Sequence, residues 1–208
     1  MAIQTSIITF KGKLDNVVGM KGFGRYNMRK KVDPANPRTV KQLTQRAKVA
    51  VIGAFAGKIK FLVNKTFKNS KRTSFAEFIN KNFEVAIGGS YPNFEMDFSK
   101  VQVAQGPVML PDNPSASEDS GNISVSWTDN SIVNMMECTG DDKVCVLVYN
   151  SAKEQTIPAI DVAKRSDNQT TVAVPTNWSG DNVEVWLCMH QPDNNSWGES
   201  AYLGSISL

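Results

Sequence analysis

Three cysteines and a single histidine are the side chains here most suited to chemistry: Cys138, Cys145, Cys188 and His190. Cys145, Cys188 and His190 fall in apolar runs that read as strands, and they would form one cluster only if those strands were adjacent. A structural zinc site needs about four ligands at compatible geometry. The cysteines lack a Cys-x-x-Cys arrangement, and two buried thiols beside a rim histidine explain the same pattern. Any Cys–His or Ser–His catalytic pair must use His190. That residue ends a strand beside Gln191-Pro192-Asp193, and no strained nucleophile turn precedes it. The expectation is a chain with no catalytic residues, no bound metal and no cofactor.

Gly22-Phe23-Gly24-Arg25 invites comparison with a phosphate-binding loop. The later Gly-Lys-Ser/Thr that opens a helix is absent, and so is the third glycine of a dinucleotide fingerprint. Tight turns in a small β element account for these glycines.

The strongest candidate site is a cluster of cations. Lys11, Lys13, Lys21, Arg25, Arg29, Lys30, Lys31, Arg38, Lys41, Arg46 and Lys48 fall within 38 residues, with Phe23 and Tyr26 interleaved. Cations that neutralise phosphates give salt-dependent, sequence-independent affinity, and aromatic rings can stack on bases. No helix-turn-helix, zinc finger or RNP signature accompanies them. The same cluster serves equally as a solvated basic face or as a grip on an acidic protein.

The cluster belongs to a larger asymmetry. Residues 1–100 hold 19 Lys/Arg against 6 Asp/Glu, whereas residues 101–208 hold 4 against 14. The net charge of +3 conceals this split. A chain with one basic and one acidic half can steer onto a polyanion, dock head-to-tail on copies of itself, or select a charged partner.

The elements that position these residues follow from pattern. Residues 1–33 read as short strands and glycine turns, with Ile3, Ile7, Ile8 and Phe10 before Gly12. A helix is expected from Pro37, capped by Asn36. Val40, Leu43, Ala47, Val51, Ala54 and Leu62 form its apolar stripe, and Gly53 and Gly57 are candidate kinks. A second helix is expected near Ser74, which has capping-box spacing to Glu77, with Gly88-Gly89 ending it. From 106 to 120, Pro107, Pro111 and Pro114 lie among Ser and Asp and read as a connector. Beyond it, runs at 123–127, 144–149, 170–174, 183–187 and 202–206 read as short strands of a sandwich. The fold class is therefore α+β. A basic α+β domain at 1–105 and a connector at 106–120 lead to an all-β immunoglobulin/fibronectin-III-like sandwich at 121–208.

Ser126-Trp127, Val146-Leu147-Val148-Tyr149, Val185-Trp186-Leu187 and Ala201-Tyr202-Leu203 carry the likeness of the C-terminal half, which resembles a fibronectin-III or immunoglobulin-like domain. If the strand order matches, the resemblance implies that Cys145 and Cys188 sit on neighbouring strands of one sheet and form no inter-sheet disulfide. Across the chain, GKLDNVVG at 12–19, Met28-Arg29, Asn36-Pro37-Arg38-Thr39 with Gln42, Gln45 and Arg46, Tyr91-Pro92-Asn93-Phe94 and Tyr202-Leu203-Gly204-Ser205 form a second pattern. It resembles an uncharacterised family found in Bacteroidota and their phages. That resemblance implies a bacterial or phage context and transfers no catalytic residue.

No run of about 18 apolar residues is present, so no membrane-spanning helix is expected. The start, Met1-Ala2-Ile3-Gln4-Thr5, does not read as a signal peptide, and the odd cysteine count favours reduced thiols and synthesis in the cytoplasm. The function expected is structural: a virion ring, connector, decoration or tail-associated protein, assembled in the bacterial cytoplasm. Its partners would be other protein subunits, in a homo-oligomer or a multi-protein assembly. The alternative is a cytoplasmic nucleic-acid-binding protein that uses residues 11–48.

Overall fold

Two apolar strands buried on both faces organise the larger part of this protein. The computed structural model describes residues 2–3, 9–22, 24–33, 35–68, 72–132 and 138–208. The chain forms two compact units, Met1–Thr39 and Val40–Leu208.

The first unit is an antiparallel sheet of β1 (Ala2–Ile3), β2 (Gly12–Leu14), β3 (Val17–Gly22) and β4 (Arg25–Lys30), in the order β1-β4-β3-β2. Asp15-Asn16 form the two-residue turn between β2 and β3, with Asp15 at a φ of 48°. Such turns need positive φ, which Asp, Asn and Gly tolerate. Gly24, at a φ of 76°, serves the turn into β4. Ile7, Ile8 and Phe23 lie outside the described residues.

The second unit begins with α1 (Val40–Lys58), α2 (Lys60–Thr66) and α3 (Ser74–Asn82), then the hairpin β5 (Ile87–Ser90) and β6 (Asn93–Met96). Seven strands follow: β7 (Asp112–Asp119), β8 (Asn122–Thr128), β9 (Lys143–Asn150), β10 (Gln155–Lys164), β11 (Gln169–Val172), β12 (Asn182–Gln191) and β13 (Ser196–Ser207). They form a four-stranded sheet, β10-β9-β12-β13, and a three-stranded sheet, β11-β8-β7. Two antiparallel sheets in this order make an immunoglobulin-like sandwich.

Between the sheets, Ile123, Val125 and Trp127 of β8 pack with Val144, Val146, Val148, Val183, Val185, Leu187 and Met189. The alternate residues of β9 and β12 (Cys145, Leu147, Tyr149, Trp186 and Cys188) share the other core with Ile52, Phe55, Ile59, Val63 and Phe78 from the helices. The result is three layers: helices, four-stranded sheet, three-stranded sheet. A strand covered on both faces has no polar alternation. Val144 to Tyr149 is uniformly apolar for that reason.

This packing redraws the expected domains. Residues 40–105 share a core with the sandwich, so the compact units meet at Thr39/Val40, not within 106–120. Within the expected connector, Asp112–Asp119 is an edge strand of the sandwich. Segment 101–104 is wedged between helices and sheet by polar contacts. The Asn82 side chain donates to Gln102 O (3.0 Å) and accepts from Gln102 N–H (2.7 Å). Trp186 Nε1 donates to Val101 O at 3.1 Å, and Ser200 Oγ accepts from Val103 N–H at 2.9 Å.

The helix boundaries differ from expectation for local reasons. Arg38, at a φ of 49°, interrupts a helix begun at Pro37, so α1 starts at Val40. Gly53 and Gly57 both lie inside α1, and the break falls at Ile59. Thr73, not Ser74, caps α3, its hydroxyl accepting from Ala76 N–H at 3.3 Å. The helix ends at Asn82, and Gly88-Gly89 instead lie in β5.

A buried ion pair braces one end of the sandwich. Arg165 and Asp142 are 0% and 1% exposed and lie 3.2 Å apart. The guanidinium also donates to Asn130 Oδ1 (2.7 Å) and Met109 O (2.6 Å). Asp142 accepts from the hydroxyl and the backbone N–H of Thr139. Trp127 Nε1 donates to the Arg165 carbonyl at 2.7 Å, locking the loop onto the core.

Candidate functional site

Strand register decides which cations of the first unit act together. Lys13 pairs with Val18 and Val18 with Arg29. Directly opposed residues share a face, so Lys13, Val18 and Arg29 form one row. Alternation places Met20, Gly22, Arg25 and Asn27 on the same face. That face carries an apolar strip on β3 with cations on both flanking strands. Among the described residues, no ion-pair partner is seen for Lys13, Arg25 or Arg29, and all three are exposed.

The opposite face carries Leu14, Val17, Gly19, Lys21, Tyr26, Met28 and Lys30. Phe10 lies over Gly19, where a Cβ would stand 2.7 Å from its ring. The Lys21 ammonium sits 5.3 Å from the Tyr26 ring centroid, a cation–π contact. Tyr26 is therefore on the face away from Arg25 and Arg29. Lys31 pairs with Asp33 at 3.9 Å, an exposed contact of small energetic weight. Lys11 and Arg38 are exposed outside the strands.

The remaining three cations belong to α1 in the second unit. Lys41 and Arg46 are exposed. Lys48 is half-buried, its ammonium 5.8 Å from the Phe83 ring and 5.4 Å from the Phe94 ring. It reads as a packing residue. The cluster of eleven is thus divided between two units, and within the sheet between two faces.

The thiol–histidine cluster forms, but with a member that the sequence did not reveal. Cys145 and Cys188 are direct cross-strand partners on β9 and β12, and both are free thiols. Asp161 lies on β10 at a register shift, with a φ of 56°. Its backbone N–H donates to Cys145 Sγ (3.3 Å), and its carboxylate accepts from that thiol (3.4 Å). The same Oδ1 lies 2.8 Å from His190 Nδ1. His190 stacks on Trp197, with ring centroids 4.3 Å apart. Asp161 thus occupies Nδ1, and Nε2 is buried with no hydrogen-bond partner among the described residues. The Cys188 thiol beside it, and then burial, push the Cys145 thiol far above its ordinary range. A thiol in that state is not a nucleophile at neutral pH. Among the described residues no group of three or more His, Cys, Asp or Glu side chains could hold a metal ion. The one signal for Asp161 was an acidic residue inside the apolar stretch Ile157–Ala163.

The acidic half has its own geometry. Segments 129–132, 138–142, 165–168 and 192–195 share one end of the sandwich, where Asp141 and Asp193 line an open cleft of about 360 Å³ with Lys143 and Lys164. Asp129 and Asp167 lie in the same loops. Lys164 holds the Asp141 carboxyl below its usual range, yet Asp141 remains 83% exposed.

A protein family described as a family of unknown function, DUF6266, matches residues 9–204. The chain belongs to this family. The match runs through β2–β4 of the cationic sheet, the helices and nearly all of the sandwich. No curated protein matches the sequence. Among solved structures, the chain is similar to the crystal structure of selenomethionine-substituted chicken interferon gamma receptor alpha chain, at 17% identity and a TM-score of 0.38. That similarity spans 56% of this chain and 56% of the receptor chain. No described helix of this DUF6266 chain is long and apolar enough to cross a membrane.

Proposed function

We propose that the chain is a non-enzymatic assembly protein whose N-terminal sheet grips an acidic protein surface. The observation that carries this reading is the row Lys13–Val18–Arg29, with Met20 and Arg25 on the same face. A protein neighbour would bury the apolar strip and pair the cations at its rim, the usual anatomy of an interface. Phosphates would engage the cations and leave the strip in water. Tyr26, on the opposite face beneath Lys21, is not placed to stack on a base held by Arg25 and Arg29. Support for a non-catalytic role comes from the raised Cys145 thiol and from Asp161 occupying His190 Nδ1. The setting we favour is a bacteriophage virion, as a ring, connector, decoration or tail-associated component assembled in the bacterial cytoplasm. It rests on the resemblance of the motif pattern to a family of Bacteroidota and phage sequences.

Nucleic-acid binding is the competing outcome, and one comparison separates the two. Wild type is titrated with duplex DNA over a range of salt, beside a variant with Arg25, Arg29, Lys30 and Lys31 all replaced by Glu. The expected wild-type binding is weak and generic, and the fourfold change should block assembly while the fold of Val40–Leu208 survives, since exposed substitutions typically cost only about 0.5 kcal/mol. Tight DNA binding by wild type would overturn the proposal if the fourfold change abolished it without touching assembly. A salt slope falling by about one unit per lost phosphate contact would accompany that result.

A further inference from the structure

We infer that the partner of the cationic sheet face is the acidic loop end of the sandwich in a second copy of this chain, giving head-to-tail assembly. The inference rests on the assembly reading and adds the occupant.

The N-terminal sheet calls for a cover. Among the described residues of Met1–Thr39 only Gly19 is buried. On the cationic face Met20 is 37% exposed, while Leu14 on the opposite face is 63% exposed and Val32, beyond β4, 71%. Chains below about 40 residues need disulfides, metals or association to hold a fold. This unit of 39 residues contains no cysteine. It has eight Lys/Arg against two Asp.

Charge selects the occupant. Residues 112–208 carry 14 Asp/Glu against Lys143, Lys153, Lys164 and Arg165. Three of those four cations are already paired, with Asp181, Asp141 and Asp142. At the turn end of the sandwich Asp181 is held by Lys153, and Glu154 by Lys58, which leaves Glu118 and Asp119. At the loop end Asp141 is likewise held by Lys164, which leaves Asp129, Asp167 and Asp193 on adjacent loops, three carboxylates against two. Cations on one surface and carboxylates on another surface of the same chain make a heterologous contact. Such a contact repeats into a ring if the rotation closes and into a filament if it does not.

Reciprocal charge reversal tests the docking. One variant carries Lys13→Glu, Arg25→Glu and Arg29→Glu, and the other carries Asp141→Lys and Asp193→Lys. Each alone presents like charges at both surfaces and should run at the monomer mass of 22.9 kDa by light scattering. Mixed in equal amounts they present opposite charges again, and the mixture should regain at least half of the wild-type assembly. A control with Glu118→Lys and Asp119→Lys should assemble as wild type does. Circular dichroism melts identify any variant that has lost its fold, and the charge-neutral pair Arg29→Gln and Asp193→Asn then replaces it, each expected to weaken assembly. Wild type that assembles while the mixture stays monomeric overturns the docking and leaves the assembly reading standing. Wild type that is monomeric at low and high salt overturns both.

Discussion

Replacing Arg165 with Leu is expected to cost about 3–5 kcal/mol, the range for breaking a buried ion pair from one side. The guanidinium is fully buried, and Asp142, Asn130 Oδ1 and Met109 O all depend on it. Leucine fills part of the volume and satisfies none of these acceptors. Asp142 would keep its two Thr139 contacts but lose the cation paired with it. At roughly 2–4 °C per kcal/mol for a unit of this size, the melting temperature should fall by about 10 °C. Thermal melts and urea unfolding measure it. A loss under 1 kcal/mol would mean that the pair is solvated and does not brace the loop end.

The second large effect concerns the seam between helices and sheet. Phe55 is 5% exposed and its ring meets those of Phe78, Phe98, Tyr149 and Trp186 at centroid distances of 6.3, 5.7, 5.1 and 6.0 Å. Phe55→Ala removes a side chain whose ring touches α3, the segment after β6, β9 and β12 together. Deletions of this kind cost about 3–5 kcal/mol. The helices and sandwich should still unfold in a single transition, because residues 40–105 contribute to a core shared with the sheet. Two separated transitions in far- and near-ultraviolet circular dichroism, only the first moved by Phe55→Ala, would show that the helices fold apart from the sandwich.

The five sandwich strands legible in the sequence are those with apolar side chains: β8, β9, β11, β12 and β13. Asp112–Asp119 escaped because an edge strand can be polar and is held largely by its ladder to β8. Gln155–Lys164 escaped because Pro158 and Asp161 interrupt it, which a strand at a sheet edge tolerates. The unbroken apolar run from Val144 to Tyr149 carried more information than a strand assignment uses. It signals a third layer over β9, and that layer is why the domain boundary lies near residue 40 and not near 106.

The candidate site was legible in composition and not in arrangement. Counting cations gathered Lys48 with the rest, although its ammonium makes cation–π contacts with Phe83 and Phe94. Only register separates Lys13, Arg25 and Arg29 from Lys21 and Lys30, because a single-residue step along a strand reverses the face. The neighbouring positions of Cys145 and Cys188 followed from the resemblance to fibronectin-III domains, and the pair register agrees. Asp161 was hidden because it reaches the thiol and the histidine through a backbone irregularity in β10.

Assembly through exposed charge must respond to salt, since screening shortens the reach of such charges to about 8 Å at physiological ionic strength and about 3 Å at 1 M. The direct measurement is the mass of the purified wild-type chain by light scattering across that range, without nucleic acid. Expected is a mass at low salt that is a multiple of 22.9 kDa and falls towards that value as salt is added. A mass of 22.9 kDa at every salt concentration would contradict assembly through the cationic sheet.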